Sequence, residues 1–438
     1  QLLMQDTITI ADQYQGDFQD LCATLPEWSS EFRNEAMLIF KQIGLPVHRK
    51  GNEKWKYTSA RPIAEPQYSL ATFEEVDLDT IKNAAPWHDS WLNVVFVNGQ
   101  YQGTFSSDTS PAIQVSNIAS DDFPQDIVES IGGIMDYSDD GFAAWNSAFM
   151  SDGSIISVPD GENSGLVINL IFFNQGVSGT VNHPRVLVSS GKKSTVNVIE
   201  NYVGGGEDNT LTNSVSEIYV GEGSTVNHYR LMSETDHTYD VGYGRVKIGT
   251  EGRFNSRAFF RGSGIGRYDL NVLVDGENAS CDLQGLYFTS GNQHMDNFIN
   301  IDHLKPHCQS NLFYKGILDG KSRAVFGGTV LVRKEAQKTD SIQSDKNLIL
   351  SPDAEVDSKP ALFIYADDVK CAHGATAGNI DADTVFYMRS RGVDLETASR
   401  LIIYGFAGEV IDKVEIEELR AYLEEAFLTS LPSHRFEF

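Results

Sequence analysis

The sequence predicts a mainly β protein with a β-helix at its core. Between residues 141 and 375, short runs of β-branched and aromatic residues alternate with clusters of Gly, Asn, Asp and Ser. This pattern is typical of many short strands joined by turns. A loose repeat recurs through the same region, and no helical stretch separates the strand-like runs. A sandwich with irregular loops is the structural alternative.

The repeat consists of a turn followed by a residue that is predicted to face inward. Its intervals are 30, 28, 27, 44 and 31 residues, so one interval is longer than the others. Self-similarity of this kind favours a β-solenoid over a doubly wound α/β sheet. The six positions are Val196, Val226, Phe254, Cys281, Val325 and Val356.

Helical patterns precede the repeat region. In residues 1–140 the clearest helix follows Ser30, a candidate N-cap ahead of apolar residues at helical spacing. Gly44 and Pro46 are expected to end it, since neither residue favours continuing a helix. Residues 1–140 are therefore predicted to be an N-terminal helical domain.

Helical patterns also follow the repeat region. Residues 395–406 are predicted to form one helix, and a second, amphipathic helix follows it. Residues 376–438 are therefore predicted to be a C-terminal helical domain, after a β-helix core at 141–375. The apolar stripe of the second helix is formed by Ile416, Leu419, Leu423, Ala426 and Phe427.

Composition and charge exclude several classes of function. The chain has 438 residues, of which 41% are hydrophobic, as in an ordinary folded protein. Its formal net charge of -27 would repel phosphate backbones and anionic lipid surfaces, so nucleic acid and membranes are not expected partners. The longest apolar run, at 165–173, is short enough to be a buried strand.

The four cysteines are Cys22, Cys281, Cys308 and Cys371, and they lie far apart in the sequence. They lack the dense spacing of a secreted disulfide framework, which favours a reducing compartment such as the cytoplasm. Import into an organelle stays open. Cys281 lies in a β-rich stretch, where we expect it to be a buried packing residue.

The best candidate for metal chemistry is the pair formed by Cys371 and His373. Both follow a strand-like run and the acidic residues Asp367 and Asp368. In a strand, residues i and i+2 face the same side, so a thiol and an imidazole would lie side by side. These groups suit a soft metal, but two ligands do not complete a site, so the metal would be transient or shared with another chain.

A second group of candidate ligands is weaker. His303, His307 and Cys308 follow one another closely, near His294, and imidazole with thiolate can bind zinc or iron. In an extended or turn conformation these side chains need not converge. A packing or hydrogen-bonding role is the simpler interpretation.

Glycine-rich segments do not support nucleotide binding or hydrolysis. Residues 316–322 resemble a phosphate-binding loop but have one residue too few between the glycines, and no helix is predicted to follow. Residues 204–206 and 262–266 lack dinucleotide spacing and a nucleophile elbow. We expect a β-turn at 316–322 and turns or flexible loops at the other two segments.

Longer motifs resemble the SufB/SufD family of iron-sulfur cluster assembly proteins. They are KTDSIQSDKNLILS at 338–351, IYADDVKCAHGAT at 364–376, FYMRSRG at 386–392, PHC at 306–308, YKGILDG at 314–320 and WKYT at 55–58. The resemblance covers nearly the whole chain. It is closest to the SufD branch, because SufB chains typically have Glu where this chain has Gly374.

The resemblance implies a fold, partners and a role. The fold is a right-handed parallel β-helix between helical terminal domains. The implied partners are a SufB-like protein and a SufC-like ATPase, and a homodimer is possible for the isolated chain. The role is that of a scaffold and not of an enzyme: Cys371 and His373 match the ligand positions for a nascent, transiently held cluster at the SufB interface, with His373 the stronger candidate.

Two alternatives from the sequence remain. A β-helix enzyme acting on carbohydrate would need a groove of Asp, Lys or Arg residues along one face. A SufB-type scaffold would accept sulfur on a cysteine within the β-helix, and no residue of this chain matches that position.

Overall fold

The computed structural model describes residues 10–47, 52–106, 112–120, 123, 125–137, 140–206 and 209–430. Over these residues the chain forms two long sheets, called sheet A and sheet B here, with helices at both ends of the sequence. From β8 onward the strands alternate between the sheets, so each pair of strands makes one coil of a solenoid. The β-helix prediction is confirmed.

Sheet A is built mainly from even-numbered strands. Its strands are β1 (Ser69–Leu70), β4 (Gln114–Asn117), β5 (Ser154–Val158), β7 (Thr180–Asn182), β8 (Arg185–Ser190), β10 (Thr210–Val220), β12 (Thr238–Ile248), β14 (Ile265–Val274), β16 (His294–His303), β18 (Arg323–Val332) and β20 (Glu355–Ile364).

Sheet B is built mainly from odd-numbered strands. Its strands are β2 (Leu92–Val97), β3 (Gln100–Phe105), β6 (Val167–Asn174), β9 (Thr195–Gly204), β11 (Thr225–Glu234), β13 (Arg253–Gly262), β15 (Ser280–Thr289), β17 (Gln309–Leu318), β19 (Asp340–Ile349) and β21 (Lys370–Gly378). Strand pairing is parallel throughout the coils, and among the described residues only β2 with β3 and β4 with β5 pair antiparallel.

The helices are found before and after the coils. They are α1 (Gln15–Cys22), α2 (Ser30–Ile43), α3 (Arg61–Ala64), α4 (Leu78–Ala84), α5 (Gln125–Val128), α6 (Gly141–Phe149), α7 (Ala382–Ser390), α8 (Leu395–Ile411) and α9 (Glu417–Ser430). The helix predicted after Ser30 is α2, which Gly44 follows with a positive φ of 60°.

The interior of the solenoid is filled by alternate residues of both sheets. Val196, Val226, Phe254 and Cys281 lie in register on successive strands of sheet B, and all four are buried. This arrangement confirms the first four positions of the predicted repeat. The burial of a large apolar set on these inward faces is the main stabilising contribution to the fold.

The last two predicted repeat positions, Val325 and Val356, lie on the other sheet. They belong to β18 and β20, and they are not partners, since Val356 pairs with Ala324. The long interval of 44 residues therefore arises because the predicted positions pass from sheet B to sheet A. The true continuation of the row on sheet B is Ser310, Ser341 and Cys371, because each pairs with the preceding residue of the row.

The outer face of sheet A is covered by the N-terminal helices. α2 and α6 pack on each other through stacked rings of Phe40 and Trp145, whose centroids are 5.5 Å apart. The same apolar cluster includes Val215 and Tyr243 from the sheet. Residues 1–140 are not only helical, since β1 to β4 fall in this range and β2 to β4 extend the two sheets. The predicted domain boundaries stay a prediction.

The WKYT segment at 55–58 is anchored on the same face of sheet A. A short turn of 3-10 helix at Glu53–Trp55 leads into it. The Arg267 guanidinium lies 4.2 Å from the centre of the Trp55 ring and forms an ion pair with Asp296. Asp296 also accepts a hydrogen bond from the Thr58 hydroxyl. The motif therefore attaches the N-terminal segment to the β-helix.

The C-terminal helices cover the outer face of sheet B. Helices α8 and α9 contribute Ile403, Val410 and Leu423 to an apolar cluster with Leu286 and Ile317 of the sheet. The predicted stripe of the second helix is largely confirmed, since Leu419, Leu423 and Phe427 are buried in α9.

A buried lysine fastens α8 to the sheet. The Lys315 ammonium donates a hydrogen bond to the Phe406 carbonyl at 2.7 Å and lies 2.7 Å from a Glu409 carboxylate oxygen. Its side chain is only 2% exposed, and burial lowers the pKa of Lys315. The ammonium also lies 4.1 Å from the centre of the Phe406 ring. This one side chain therefore links the β-helix to the C-terminal helices.

We expect Lys315→Met to lower the free energy of local unfolding of the C-terminal helices by roughly 2 kcal/mol, because a buried charge-assisted hydrogen bond is lost. Hydrogen exchange of α8 amides should accelerate while that of the β10 and β12 amides stays unchanged. Lys321→Met, at an exposed lysine in the following turn, is the matched control. Equal exchange in the two variants would contradict this role for Lys315.

Candidate metal centre at the open end of the β-helix

The last coil of the β-helix is open. Within the described residues, β21 pairs only with β19, and β20 pairs only with β18. Their free edges present unpaired backbone groups, which are a template for pairing with another chain. Phe363 and Tyr365, at the end of β20 and just after it, are 52% and 64% exposed. The open end thus combines strand edges with exposed apolar side chains.

Cys371 and His373 both lie on β21. Cys371 pairs with Ser341 and His373 pairs with Gln343, and both partners are buried on the inward side of β19. The thiol and the imidazole are therefore on the inward side of the last strand. Cys371 is half-buried and packs against the core, whereas His373 is exposed.

The surroundings of Cys371 keep its sulfur protonated in the isolated chain. Burial raises the pKa of the Cys371 thiol, and the nearby Asp340 carboxylate raises it further, while the Ser341 N–H opposes them. A thiol that binds a metal must lose this proton, so metal binding at Cys371 would be coupled to proton release. Asp368, which precedes this strand, forms an ion pair with Lys338.

The second candidate group does not converge. His303 is buried with its Nε2 2.8 Å from the Ser310 hydroxyl, whereas His307 is exposed in a turn with a φ of 60°. Cys308 is buried and donates its S–H to the Gly276 carbonyl. His294 lies 2.9 Å from the Thr58 hydroxyl instead. His294, His303 and Cys308 therefore have the hydrogen-bonding and packing roles that were the simpler interpretation, and His307 is an exposed residue apart from them.

Across the described part of the chain, no group of three or more His, Cys, Asp or Glu side chains is arranged to hold a metal ion. Cys371 and His373 are two potential ligands, too few to complete a metal site by themselves, and the pair is called the half-site here. Cys281 is 3% exposed within the core, and burial raises the pKa of its thiol. It is the packing residue that the sequence predicted.

The glycine-rich segments are turns, as predicted. Residues 319–322 connect β17 directly to β18, with no helix after them. Gly320 has a φ of 66°, a conformation that favours glycine and explains its presence. Gly262 has a φ of 85° at the end of β13.

Buried ion pairs are the main feature that sequence reasoning missed. Glu200 accepts hydrogen bonds inside the solenoid from Arg230 and His228, at 3.2 and 3.1 Å. On the outer face of sheet A, Arg185 and Glu217 lie 2.5 Å apart with neither side chain exposed. The sequence did show charged residues inside β-branched runs. Which of them form ion pairs could be known only from the register of the coils.

The chain matches two family models along almost its whole length. Residues 4–170 match the SufBD protein N-terminal region, and residues 172–406 match the SufBD core domain of the SUF system for FeS cluster assembly. No helix among the described residues is long and apolar enough to cross a membrane.

Individual proteins that are similar in sequence to this chain belong to the same family. The chain is 30% identical to the iron-sulfur cluster assembly protein SufD of Escherichia coli, over 86% of this chain and 88% of that protein. It is 28% identical to an iron-sulfur cluster assembly SufBD family protein of Synechocystis, over 89% and 90% of the two chains. It is also 28% identical to the chloroplastic protein ABCI7 of Arabidopsis thaliana, over 86% and 81%.

These matches agree with the parallel β-helix and with the motifs at its open end. The chain belongs to the SufB/SufD family of iron-sulfur cluster assembly proteins and is similar to its SufD members.

Proposed function

We propose that this chain is a SufD-like scaffold subunit that contributes ligands to a nascent iron-sulfur cluster and does not itself catalyse a reaction. The observation that carries the proposal is the position of Cys371 and His373 on the inward side of the last strand, at an open end. A cluster bound by two ligands from each side of an interface is held weakly enough to be released. Nascent cluster is the cargo and not a resident cofactor.

The partner at the open end is a SufB-like chain. Its last coil would place its own ligands above Cys371 and His373 and cover the free edges of β20 and β21. The exposed residues Phe363 and Tyr365 would be buried in the same interface. Without SufB, a second copy of this chain would cover the same strand edges, so we expect the isolated chain to form a homodimer.

The second partner is a SufC-like ATPase, which docks on the C-terminal helices. The supporting observation is an exposed apolar surface on α7 and α8. Phe386 is 74% exposed, Tyr387 is 59% exposed and Leu401 is 52% exposed. Large apolar side chains that cluster on a surface mark interaction sites. We place the assembled complex in the cytoplasm or, for an imported chain, in an organelle.

Co-purification tests this assignment of the two surfaces. Phe386→Ser with Tyr387→Ser should lose the SufC-like ATPase but keep the SufB-like protein, because the open end is unchanged. Phe363→Ser with Tyr365→Ser should have the reverse effect. The matched control is Phe73→Ser, which changes a 41% exposed aromatic residue remote from both surfaces in sequence. Retention of both partners by both double variants would show that the docking surfaces lie elsewhere.

A carbohydrate-active enzyme is not supported. A groove does run along sheet A, but its cations are engaged: Lys247 pairs with Asp275, and Arg245 pairs with Asp269. The family matches also give no support for hydrolysis.

A further inference from the structure

Asp345 is a buried carboxyl just beneath the open end, and only one of its oxygens is hydrogen-bonded. It lies on the inward side of β19 with no exposed surface. Its Oδ2 accepts from the Asn347 amide at 2.8 Å and from the Ser358 hydroxyl at 2.7 Å. Its Oδ1 has no partner in the described part of the chain. Asp345 is therefore fixed in place with one oxygen free.

Most of the other buried carboxylates among the described residues lie against a cation, although Asp152 and Glu234 accept hydrogen bonds from backbone N–H groups and from the Thr212 hydroxyl instead. Glu217 pairs with Arg185 and Glu200 pairs with Arg230. On the outer face of sheet A, Asp296 and Asp269 are paired with arginines in the same way. For Asp345, no lysine, arginine or histidine within the described ranges makes an ion pair. An unpaired buried carboxylate is costly, so a proton or an external cation must compensate it.

A second buried polar group lies on the same inward side of β19. Gln343 lies two residues before Asp345 on the inward side of β19 and is 1% exposed, yet neither its Oε1 nor its Nε2 has a partner among the described residues. Space for its amide exists because residue 328 is glycine: a Cβ there would lie 2.1 Å from the Gln343 Nε2. Buried amides with both atoms unbonded are rare and point to a missing ligand or water.

The free oxygen of Asp345 is close to the outside. The residue above it in register is Ala375, which is small and exposed, and the Ser358 hydroxyl that orients the carboxyl belongs to an exposed residue. His373 lies above Gln343, so the Cα atoms of Asp345 and His373 are about 8 Å apart by strand geometry. Asp345 and Gln343 thus lie one strand below the half-site.

We propose that Asp345 Oδ1 and Gln343 Oε1 hold a ferrous ion in a transit site beneath Cys371 and His373. The inference rests on the proposed function, which makes ferrous iron a substrate of the complex. A carboxylate and an amide oxygen bind a hydrated divalent ion weakly, whereas imidazole and thiolate suit iron better. The ion would pass outward by exchanging these oxygens for the ligands on β21. Iron stays ferrous in this step, and the Cys371 thiol releases its proton to water as the iron-sulfur bond forms.

Anaerobic equilibrium dialysis of the full chain against ferrous ion tests the transit site. The background is the Cys371→Ser and His373→Ala double variant, which removes the half-site. We expect this double variant to keep one bound ferrous ion and to lose at least tenfold in affinity when Asp345→Asn is added. Asp357→Asn, at a carboxylate of the neighbouring coil that lies 3.5 Å from Arg323, is the matched control and should not change the affinity.

The fold is expected to survive Asp345→Asn, because the asparagine carbonyl can still accept from Asn347 and Ser358. Burial raises the pKa of Asp345 to about 6, so above that pH the substitution removes a buried charge. The melting temperature at pH 7.5 should therefore not fall. Unchanged ferrous affinity with Asp345→Asn, or an equal loss with Asp357→Asn, would overturn the transit site. Neither result depends on whether His373 binds the cluster. That role is tested separately, by measuring cluster formation in the complex.

Discussion

His373→Ala is expected to lower cluster formation at least tenfold in the anaerobically reconstituted complex of this chain with its SufB-like and SufC-like partners. The reason is that the half-site on β21 then retains only the Cys371 sulfur, whose proton must still be displaced. His373 is exposed and has no part in the apolar core, so the fold should be unaffected. The measurement is the rate at which the cluster absorbance appears after iron and a sulfur donor are added.

Two further variants make this experiment specific. His307→Ala removes an exposed histidine from a turn of the same β-helix and should leave the rate unchanged. Cys371→Ser should have a smaller effect than His373→Ala, because His373 is the stronger ligand candidate. A normal rate with His373→Ala would show that the ligand role is wrong, even if the complex assembles as proposed.

The β-helix was predictable because the inward-facing residues of its earlier coils are apolar, so they form a repeat that the sequence shows. Val196, Val226 and Phe254 face the interior in register, and their spacing reports the length of one coil. After Cys281 the same row continues as Ser310 and Ser341. Because these residues are polar, an apolar repeat could no longer be followed, and the predicted row moved to the other sheet.

The candidate site could likewise be predicted only in part. The shared side of Cys371 and His373 follows from strand alternation alone, and the structure places both on the inward side of β21. The buried groups beneath them could not be identified in this way. Asp345 and Gln343 have the sequence pattern of a solvated strand, and only the register with β17 and β21 shows that they face the interior.

The N-terminal third was harder to predict for a different reason. Strands β2 and β3 form an antiparallel hairpin that extends sheet B, although β2 pairs in parallel with the distant β6. β2 is buried throughout, so its sequence lacks the alternation that marks a half-exposed strand. Tertiary packing, and not local pattern, decides its structure.

Arg185→Met is expected to destabilise the chain by roughly 3 to 5 kcal/mol, because it leaves the Glu217 carboxylate buried without a cation. Both side chains are fully buried and lie 2.5 Å apart. Glu217 also accepts the Gly132 N–H at 2.9 Å, and Arg185 donates to Ser147 of α6 at 2.8 Å. The pair thus joins sheet A to the N-terminal layer. Denaturant unfolding of the isolated chain measures the loss.

The double variant Arg185→Met with Glu217→Leu separates the charge from the packing. Replacement of a whole buried ion pair by apolar residues is often close to neutral, so most of the lost stability should return. Arg253→Met, at an exposed arginine of sheet B, should leave the free energy of unfolding nearly unchanged. If the double variant is as unstable as the single one, the hydrogen bonds of Arg185 to α6, and not the buried charge of Glu217, hold the N-terminal layer on the β-helix.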